Sequence, residues 1–257
     1  METRADGFAL SGRTALVTGA SSGLGQRFAQ ALALAGAAVA LTGRRLDRLR
    51  DLEAELRGSG GRAFACPMDV TRGSSIGEAL DSIEASLGPV DILVNNSGVS
   101  AQRRMGSYEE AEYDLVMNTN LKGAFFVAQA VGRRMMDAAR PGRIINIASV
   151  AGLRTISQLG VYGMSKAALI SMTKSMAHEW ARYNINVNAV CPGYIETEIN
   201  SEHWQTEGGR KLIDMLPRRR IGQPQDLDGV LLLLAAEAGA HINGAVITVD
   251  DGFVAGA

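Results

Sequence analysis

Two side chains that are weak reagents on their own stand four residues apart in the stretch YGMSK, residues 162–166. An unperturbed tyrosine holds its proton until about pH 10, and an unperturbed lysine stays charged to a similar pH. A cation beside a phenol favours the phenolate and can lower its pKa by about 1–3 units. Residues four apart on a helix share one face. The pair Tyr162 and Lys166 therefore predicts proton-transfer chemistry, provided that the rest of the sequence supplies a site around it.

A glycine-rich turn near the start of the chain is a candidate phosphate-binding site. The stretch TGASSGLG at 18–25 joins the apolar run RTALVTG to the helical pattern GQRFAQALALAG. Glycine lets the backbone approach a pyrophosphate, and the N–H groups at a helix start favour its negative charge. A tight turn without a ligand is the alternative, but the place between first strand and first helix favours a dinucleotide site. The predicted contacts are Gly19, Ser21, Ser22, Gly23, Leu24 and Gly25.

The end of the second predicted strand bears on which dinucleotide binds. In the stretch LTGRR, Gly43 stands where folds of this type often carry an acidic residue for the ribose hydroxyls, and Arg44 and Arg45 follow. Losing a carboxylate and gaining guanidinium groups favours a 2′-phosphate, which arginine binds bidentately. We expect NADP(H), with Arg44 as the leading contact, and NAD as the less favoured cofactor. The alternative is that both arginines only begin a solvated helix.

The pattern of the whole chain predicts the fold class. Continuous apolar runs are typical of strands covered on both faces, and their alternation with helical stretches implies right-handed βαβ units. We expect an α/β fold: a Rossmann-type, doubly wound, parallel seven-stranded sheet with helices on both faces, in a single domain over residues 1–257. The predicted strands are 13–19, 37–43, 62–70, 90–96, 142–149, 185–193 and 244–250, and the clearest helices are 25–36, 46–58 and 165–183.

Composition excludes several classes of partner. The net charge of −1 gives no electrostatic reason to expect nucleic acid or an acidic membrane. The three histidines lack metal-ligand spacing, so no metal site is predicted. Cys66 and Cys191 lie in apolar runs and are expected to be buried reduced thiols. The N-terminus METRADGFAL lacks a signal core, and the apolar run VLLLLAA at 230–236 is far shorter than the roughly 18 residues of a membrane span. We expect a cytoplasmic protein.

One segment, residues 196–220, is a longer excursion before the last helical pattern. It mixes polar residues with Trp204, Leu212, Ile213 and Met215. An excursion with an apolar face beside an active site is a candidate substrate lid. A solvated surface loop is the alternative.

Six motifs occur in the order typical of one family: TGASSGLG, NNSG at 95–98, NTNLKG at 118–123, INIAS at 145–149, YGMSK, and CPGYIET at 191–197. Through them the chain resembles the short-chain dehydrogenase/reductase family from about residue 10 to 253. Members move a hydride between a nicotinamide and a carbon that bears oxygen. Two positions depart from the family pattern: Ser97 replaces the usual alanine of N-N-A-G, and Asp251 stands where a glycine is common. We expect the second to affect assembly rather than chemistry.

The resemblance implies a catalytic role for four residues. Tyr162 corresponds to the acid or base, and Lys166 to the cation that also holds the nicotinamide ribose. Ser149 corresponds to the serine that binds the substrate oxygen, and Asn120 to the asparagine that helps to organise a water and the lysine. A helix cap or turn residue is the alternative for Ser149, and for Asn120 the neighbouring Asn118 is a competing candidate.

The same resemblance implies further contacts with cofactor and substrate. Asp69 and Val70 correspond to adenine contacts, and Asn96, Ser97 and Gly98 pass near the adenosine ribose. Each could instead be only a strand-end turn or cap. The segment beneath the nicotinamide carboxamide corresponds to Pro192, Gly193, Ile195 and Thr197. The expected substrate contacts are Ser149, Val150, Gly152, Leu153, Tyr162, Tyr194 and Trp204.

The motifs indicate the reaction more clearly than the substrate. We expect reduction of a ketone, a 3-oxoacyl group or a related small ketone. Family members that act on acyl carrier protein carry two basic residues, of which Arg140 matches the first while Tyr183 occupies the second, so a carrier partner is only half supported. Oxidation of a sugar acid, polyol or other secondary alcohol, possibly with NAD, is the alternative, and a nicotinamide sensor without catalysis is a further one. Relatives suggest a homotetramer built through helices at about 112–139 and 163–183 and the final strand.

Overall fold

One parallel sheet organises the computed structural model, which describes residues 7–198 and 200–256. The strand order is β3-β2-β1-β4-β5-β6-β7, and every pairing between neighbours is parallel. All seven strands lie inside the predicted runs, which confirms the predicted fold class. The strands are β1 (Thr14–Thr18), β2 (Ala38–Gly43), β3 (Arg62–Pro67), β4 (Ile92–Asn95), β5 (Gly142–Ile147), β6 (Ile185–Pro192) and β7 (Val246–Val249).

Helices connect the strands and cover both faces of the sheet. In the described part of the chain they are α1 (Gly23–Leu34), α2 (Leu46–Gly58), α3 (Gly73–Leu87), α4 (Glu110–Met117), α5 (Ala124–Asp137), α6 (Gly160–Trp180), α7 (Ser201–Gln205), α8 (Glu207–Met215) and α9 (Asp228–Ala235). No helix among the described residues combines the length and apolar character that crossing a bilayer requires.

Two apolar cores, one on each face of the sheet, hold these layers together. On one face α1, α2 and α9 pack through residues such as Phe28, Leu49 and Leu231. On the other, α3, α5 and α6 pack through residues such as Leu80 and Val127. Each large apolar side chain that is fully buried contributes roughly 1.5–3 kcal/mol. The cores fix the strands, so the strand ends become rigid supports for polar side chains.

Helix α6 begins at Gly160, earlier than the predicted helix at 165–183. Glycines at 160 and 163 weaken the helical pattern there, because glycine has a low helix propensity. Gly163 is needed for packing: a Cβ on it would lie 2.8 Å from the carbonyl oxygen of Ala151. The early start places Tyr162 and Lys166 together in the first turns of α6.

The order of the sheet reverses at β1. Strand β1 pairs with β2 on one side and with β4 on the other, so the connections on the two sides run in opposite directions. Open α/β sheets bind ligands in the crevice that such a reversal leaves beyond the carboxyl ends of the strands. The predicted cofactor residues follow β1, β2, β3, β4 and β6, with Tyr162 and Lys166 on the helix after β5, so the fold brings them to that crevice.

Candidate active site

Glycines at three positions shape the turn after β1. Gly19 and Gly23 have φ values of +67° and +57°, in the left-handed region that favours glycine. A Cβ on Gly25 would lie 2.2 Å from the carbonyl oxygen of Gly19 and 2.5 Å from Nδ2 of Asn96. The turn and the first residues of α1 are therefore held in close contact, which a larger residue than glycine would prevent.

The start of α1 has no side-chain cap. The Ser22 side chain, in the N-cap position, makes no hydrogen bond to the first turn. Its Oγ instead accepts a hydrogen bond from Nη2 of Arg45 at 2.7 Å, and Nη2 also donates to Oγ of Ser21 at 2.9 Å. The N–H groups of the first helical turn stay available, and such groups bind anions. Arg45, which sequence reasoning treated as secondary to Arg44, thus orders both serines; Arg44 is exposed beside it.

The loop after β4 holds the glycine turn in place. Oγ1 of Thr18 accepts hydrogen bonds at 2.9 Å from the backbone N–H groups of Asn96 and Ser97. Nδ2 of Asn96 donates to the carbonyl oxygen of Thr18 at 2.9 Å. These contacts support the glycine turn directly, so the NNSG motif has a structural role in addition to any contact with a ligand.

At the end of β3, Asp69 is fixed by its own turn. The backbone N–H and the hydroxyl of Thr71 donate to Oδ1 of Asp69, at 3.0 and 2.7 Å. The hydrogen bond from the Thr71 hydroxyl is the main reason that the pKa of Asp69 is lowered, with Arg44 a smaller cause. Val70 is buried and packs tightly: a Cβ on Gly123 would lie 2.8 Å from its Cγ2. The structure therefore holds a carboxylate at the strand end with Oδ1 engaged.

Ser149 and Tyr162 meet beyond the end of β5. Ser149 caps a short 3₁₀ turn, with its Oγ accepting a hydrogen bond from the N–H of Ala151 at 3.1 Å. The Ser149 hydroxyl also lies near the phenol of Tyr162, where it lowers the pKa of that phenol. The cap role that the sequence left as an alternative is present together with the convergence on Tyr162. Two hydroxyls facing one point can both donate to a substrate oxygen.

Lys166 is enclosed by the protein. Its side chain is 3% exposed, and Nζ donates to the carbonyl oxygen of Ile147 at 2.7 Å. Nζ lies 5.7 Å from the centroid of the Tyr162 ring, on the ring face. Gly98 leaves room beside it, because a Cβ there would lie 3.5 Å from Nζ. The two side chains of YGMSK therefore lie side by side rather than on opposite sides of the fold.

Burial dominates the acid–base properties of this pair. It lowers the pKa of Lys166 to about 8, because the ammonium loses its hydration. It also raises the pKa of Tyr162, and the hydroxyl of Ser149 opposes that rise. The expectation that Lys166 lowers the pKa of Tyr162 is therefore wrong: burial raises this pKa, and the hydroxyl of Ser149 is what opposes the rise.

Asn120 lies in a π-helical turn, Asn118–Gly123, between α4 and α5. Such turns are rare and are frequent at functional sites. Its side chain is fully buried: Oδ1 accepts from the N–H of Val99, and Nδ2 donates to the carbonyl oxygen of Val99 and to Oγ of Ser165. Both amide hydrogens are used in these bonds, so the side chain joins the β4 loop to α6 and does not donate to Lys166.

The predicted substrate residues after β6 form an aromatic group. The ring of Tyr194 lies 5.9 Å from that of Trp204 on α7 and 5.4 Å from that of Phe253, centroid to centroid. Gly193 lets the chain after β6 pass close to the C-terminal turn, since a Cβ on it would lie 2.9 Å from Cα of Asp250. Thr197 reaches back to the glycine turn, with Cγ2 3.6 Å from where a Cβ on Gly23 would be. Sequence reasoning missed Phe253, because no pattern relates the C-terminal turn to β6.

The remaining predicted substrate residues differ in exposure. Val150 is buried, and Leu153 is 41% exposed. Gly152 serves close packing, because a Cβ on it would lie 2.8 Å from the carbonyl carbon of Lys166. No group of three or more His, Cys, Asp or Glu side chains in the described chain is arranged to hold a metal ion. Cys66 and Cys191 are both buried free thiols, as predicted.

Comparison with known proteins gives the family. The family model described as short chain dehydrogenase matches residues 13–208. The chain is 36% identical over 248 residues to gluconate 5-dehydrogenase of Gluconobacter oxydans, covering 96% of each. It is 35% identical over 245 residues to 3-oxoacyl-[acyl-carrier-protein] reductase FabG of Thermotoga maritima, covering 95% of this chain and 99% of that protein. A gluconate 5-dehydrogenase from Burkholderia cenocepacia, solved with NADP and tartrate, superposes with a TM-score of 0.93 at 36% identity, over 97% and 98% of the two chains.

The chain therefore belongs to the short-chain dehydrogenase family. It is an oxidoreductase that acts on CH–OH groups, with a nicotinamide dinucleotide as hydride carrier. The fold and the recognised motifs agree with this assignment along almost the whole chain.

Proposed function

We propose that this protein is an NADP(H)-dependent oxidoreductase that reduces a small ketone to a secondary alcohol, or runs the reverse reaction. The observation that carries the proposal is the convergence of the Ser149 hydroxyl, the Tyr162 phenol and the Lys166 ammonium beyond the carboxyl end of β5. In the crevice formed beside β1 lies a helix start with unused N–H groups.

The residues present fit a dinucleotide. The uncapped start of α1 would hold the pyrophosphate, Asp69 the adenine, and Gly98 and Lys166 the nicotinamide ribose. A bound nicotinamide would supply or accept the hydride. Thr197, beside the glycine turn, would position the carboxamide end of the cofactor.

Tyr162 is the proposed proton donor in the reductive direction. Its phenolic O–H donates to the substrate oxygen as negative charge develops there, and Ser149 donates a second hydrogen bond to the same oxygen. The raised pKa keeps Tyr162 protonated at neutral pH, which suits an acid. Lys166, positively charged at neutral pH, stabilises the phenolate that remains. Asn120 is a positioning residue that holds the β4 loop against α6.

The choice of NADP over NAD is part of the proposal. Gly43 offers no carboxylate to repel a 2′-phosphate, and Arg44 and Arg45 lie at the adjoining strand end. A relative of 36% identity was solved with NADP, which supports this choice. Arg44 is the proposed 2′-phosphate contact, and Arg45 orders the serines of the glycine turn.

The two relatives named above act on different substrate classes, a sugar acid and a carrier-bound acyl chain. Arg140, the residue that half-matched a carrier-binding pattern, donates to Oδ1 of the buried Asp91 and is engaged within this chain. Tyr183 occupies the second position. A small hydroxylated ketone or alcohol is therefore the favoured substrate, and a 3-oxoacyl thioester is the second candidate because of the FabG relative.

We also propose that residues 196–220 form a substrate lid on a single domain spanning 1–257. The described part of the segment carries α7 and α8, and Trp204 packs on Tyr194 at the cleft. Ile199 lies outside the described residues. The side-chain ion pair between Glu198 and Arg48 of α2 spans 3.0 Å and links the start of the segment to the cofactor side.

A homotetramer is the proposed assembly. The exposed rings of Phe125 and Phe126 on α5 border a groove of about 730 Å³ between α5 and α6. Exposed apolar surface of this kind marks interaction sites. Light scattering at micromolar concentration tests the assembly, and a monomer would contradict it.

The cytoplasm is the proposed compartment, supported by two buried free thiols; cell fractionation tests it.

The central test is consumption of NADPH or NADH with a panel of keto-sugars, keto acids, aryl ketones and 3-oxoacyl thioesters. We expect turnover with NADPH and at least one small ketone, and weaker turnover with NADH. Turnover of the thioesters alone would favour the second candidate. No turnover of any member, with the corresponding alcohols and NADP⁺ also inert, would contradict the proposed function.

A further inference from the structure

One arginine stands at the substrate side of the cleft in a fixed position. Arg154 follows the short turn that begins at Ser149, and its backbone N–H donates to the carbonyl oxygen of Val150 at 3.0 Å. Its guanidinium lies over the ring of Phe253, 4.4 Å from the centroid, and Nη1 donates to the carbonyl oxygen of Phe253 at 2.9 Å. These contacts hold the planar group rigidly on a ring that also contacts Tyr194.

Arg154 is close to the predicted substrate wall. Burial raises the pKa of the Tyr194 phenol, and the positive charge of Arg154 opposes this rise, which requires the two groups to be near each other. Tyr194 directly follows the segment assigned to the nicotinamide, and Ser149 opens the turn that leads to Arg154. Arg154 thus contacts the turn that begins at Ser149 through its backbone and the C-terminal turn beside Tyr194 through its side chain.

Nothing in the described residues 7–198 and 200–256 pairs Arg154 with a carboxylate. The two acids of the C-terminal turn have other partners. Asp250 accepts hydrogen bonds from the backbone N–H groups of Gly252 and Val254, and Asp251 pairs with Arg218 and Arg220. The Nε and Nη2 edge of Arg154 has no acceptor among those residues. A guanidinium edge of this shape matches the two oxygens of a carboxylate.

We infer that Arg154 is a specificity-determining residue that binds a carboxylate on the substrate, so that the preferred ketone or alcohol is an organic acid. The inference rests on the proposed function and adds the chemical class of its substrate. A single available guanidinium suits a monoanion better than a phosphate dianion, because Arg218 and Arg220, the other cations at this turn, are engaged by Asp251.

The experiment compares matched substrates on the intact enzyme with NADPH. The first is a linear keto acid of five or six carbons. The second is the ketose that results when CH₂OH replaces the carboxylate of the keto acid. The third is the primary amide of the keto acid. We expect kcat/KM for the keto acid to exceed that for both neutral compounds by about 10–100-fold, the range for a hydrogen bond to a charged group. The difference should lie mainly in KM, because Arg154 binds a part of the substrate that does not react.

The variant Arg154→Gln should remove this preference. Its kcat/KM should fall about 10–100-fold for the keto acid and stay unchanged for the ketose and the amide. Arg154→Lys should restore part of the preference, since it keeps the charge and loses the planar contact with Phe253. Arg182→Gln is the matched control, because Arg182 also lies over an aromatic ring, 4.8 Å from the centroid of Tyr183. Thermal unfolding and NADPH affinity identify any variant that is merely misfolded.

The outcomes separate the inference from the function beneath it. If wild type reduces the ketose as efficiently as the keto acid, the inference is wrong and the proposed function stands. Equal losses on acid and neutral substrates in Arg154→Gln also overturn the inference, because they indicate a structural role. Absence of turnover for every ketone and alcohol overturns the proposed function itself. Competitive inhibition by tartrate that Arg154→Gln weakens would support carboxylate binding independently of turnover.

Discussion

Positively charged side chains have different partners at the two ends of the sheet. At the amino end of β4, the buried carboxylate of Asp91 accepts from Arg140, lies 3.9 Å from Nη1 of Arg13, and accepts from the backbone N–H of Thr14 at 2.9 Å. At the carboxyl end, Lys166 donates to a backbone carbonyl and Arg45 donates to two hydroxyls. No carboxylate in the described chain pairs with either of these two cations.

This contrast separates a structural use of charge from a functional one. At the amino end the carboxylate of Asp91 is the partner of these arginines within the protein. Among the described residues, the buried side-chain N–H groups without an acceptor are Nε of Arg140 and Nε of Arg143. The carboxyl end keeps cations whose natural partners are ligands: a phosphate, a phenolate or a substrate acid. Burying a cation without a counter-ion costs free energy, so the site is held at the expense of stability.

The largest expected effect is loss of the proton donor. Tyr162→Phe removes one hydroxyl and keeps the ring against Lys166, so we expect kcat to fall about 10²–10⁴-fold with NADPH affinity unchanged. Steady-state kinetics and fluorescence titration with NADPH measure the two quantities. If Tyr162→Phe keeps the kcat of wild type, the unpaired cations at the carboxyl end serve some purpose other than this reaction.

The next effect is on stability, and it has an unusual sign. Because the pKa of Lys166 is lowered from 10.5 to about 8, the folded protein binds fewer protons than the unfolded chain between these pH values. The buried ammonium lowers the free energy of unfolding of the cofactor-free protein, fully below pH 8. That cost disappears as the pH increases from 8 toward 10.5. At pH 7 the free energy of unfolding of Lys166→Met should therefore exceed that of wild type by roughly 3 kcal/mol, as measured by urea unfolding. The same variant should lose activity.

The advantage of Lys166→Met should shrink as the pH rises from 7 to 10, since wild type then loses the buried charge. The matched control is Lys174→Met on an exposed position of the same helix, which should change neither stability nor its pH dependence. A stability gap for Lys166→Met that is constant with pH would show that packing rather than charge causes it.

Sequence reasoning was most successful where the signal was local. The strands follow continuous apolar runs, and TGASSGLG contains both the glycines with positive φ and the helix start. The spacing of Tyr162 and Lys166 in the sequence, together with helix geometry, was enough to predict that both lie on one face of a helix. Each of these features is encoded within a few residues, so no tertiary information was needed to expect it.

Features that depend on distant contacts were missed or misjudged. Arg154 is positioned by Phe253, and the pKa of Tyr162 depends on burial that only the packed fold creates. Asp251 is another example. It adopts a φ of +52°, which explains why glycine is common there, and its carboxylate joins the C-terminal turn to Arg218 and Arg220 at the end of the proposed lid. The expected effect on assembly stays a prediction, and within the chain the carboxylate contacts the lid segment.

A smaller effect tests the amino end of the sheet. Arg140→Gln leaves Asp91 with Thr14 and the distant Arg13, so we expect the free energy of unfolding to fall by about 1–3 kcal/mol. Turnover of small ketones should be unchanged, because Arg140 lies at the amino end of the sheet, opposite the proposed ligand contacts, and is engaged by Asp91. Urea unfolding and kinetics measure both, with the exposed Arg62→Gln as control. A selective loss of activity on carrier-bound thioesters would reinstate the carrier as a partner.

The smallest effects distinguish two neighbouring arginines at the carboxyl end. Arg44→Ser removes the proposed 2′-phosphate contact, so the KM for NADPH should rise about 10-fold while that for NADH is unchanged. Arg45→Ser acts differently, because it frees the Ser22 hydroxyl to cap α1 and compete with the pyrophosphate. Its effect should be about 3-fold and equal for both cofactors, in line with the free energy of a helix cap. If Arg45→Ser instead weakens the binding of NADPH but not of NADH, Arg45 itself binds the 2′-phosphate. Both arginines at this end of the sheet would then be ligand contacts.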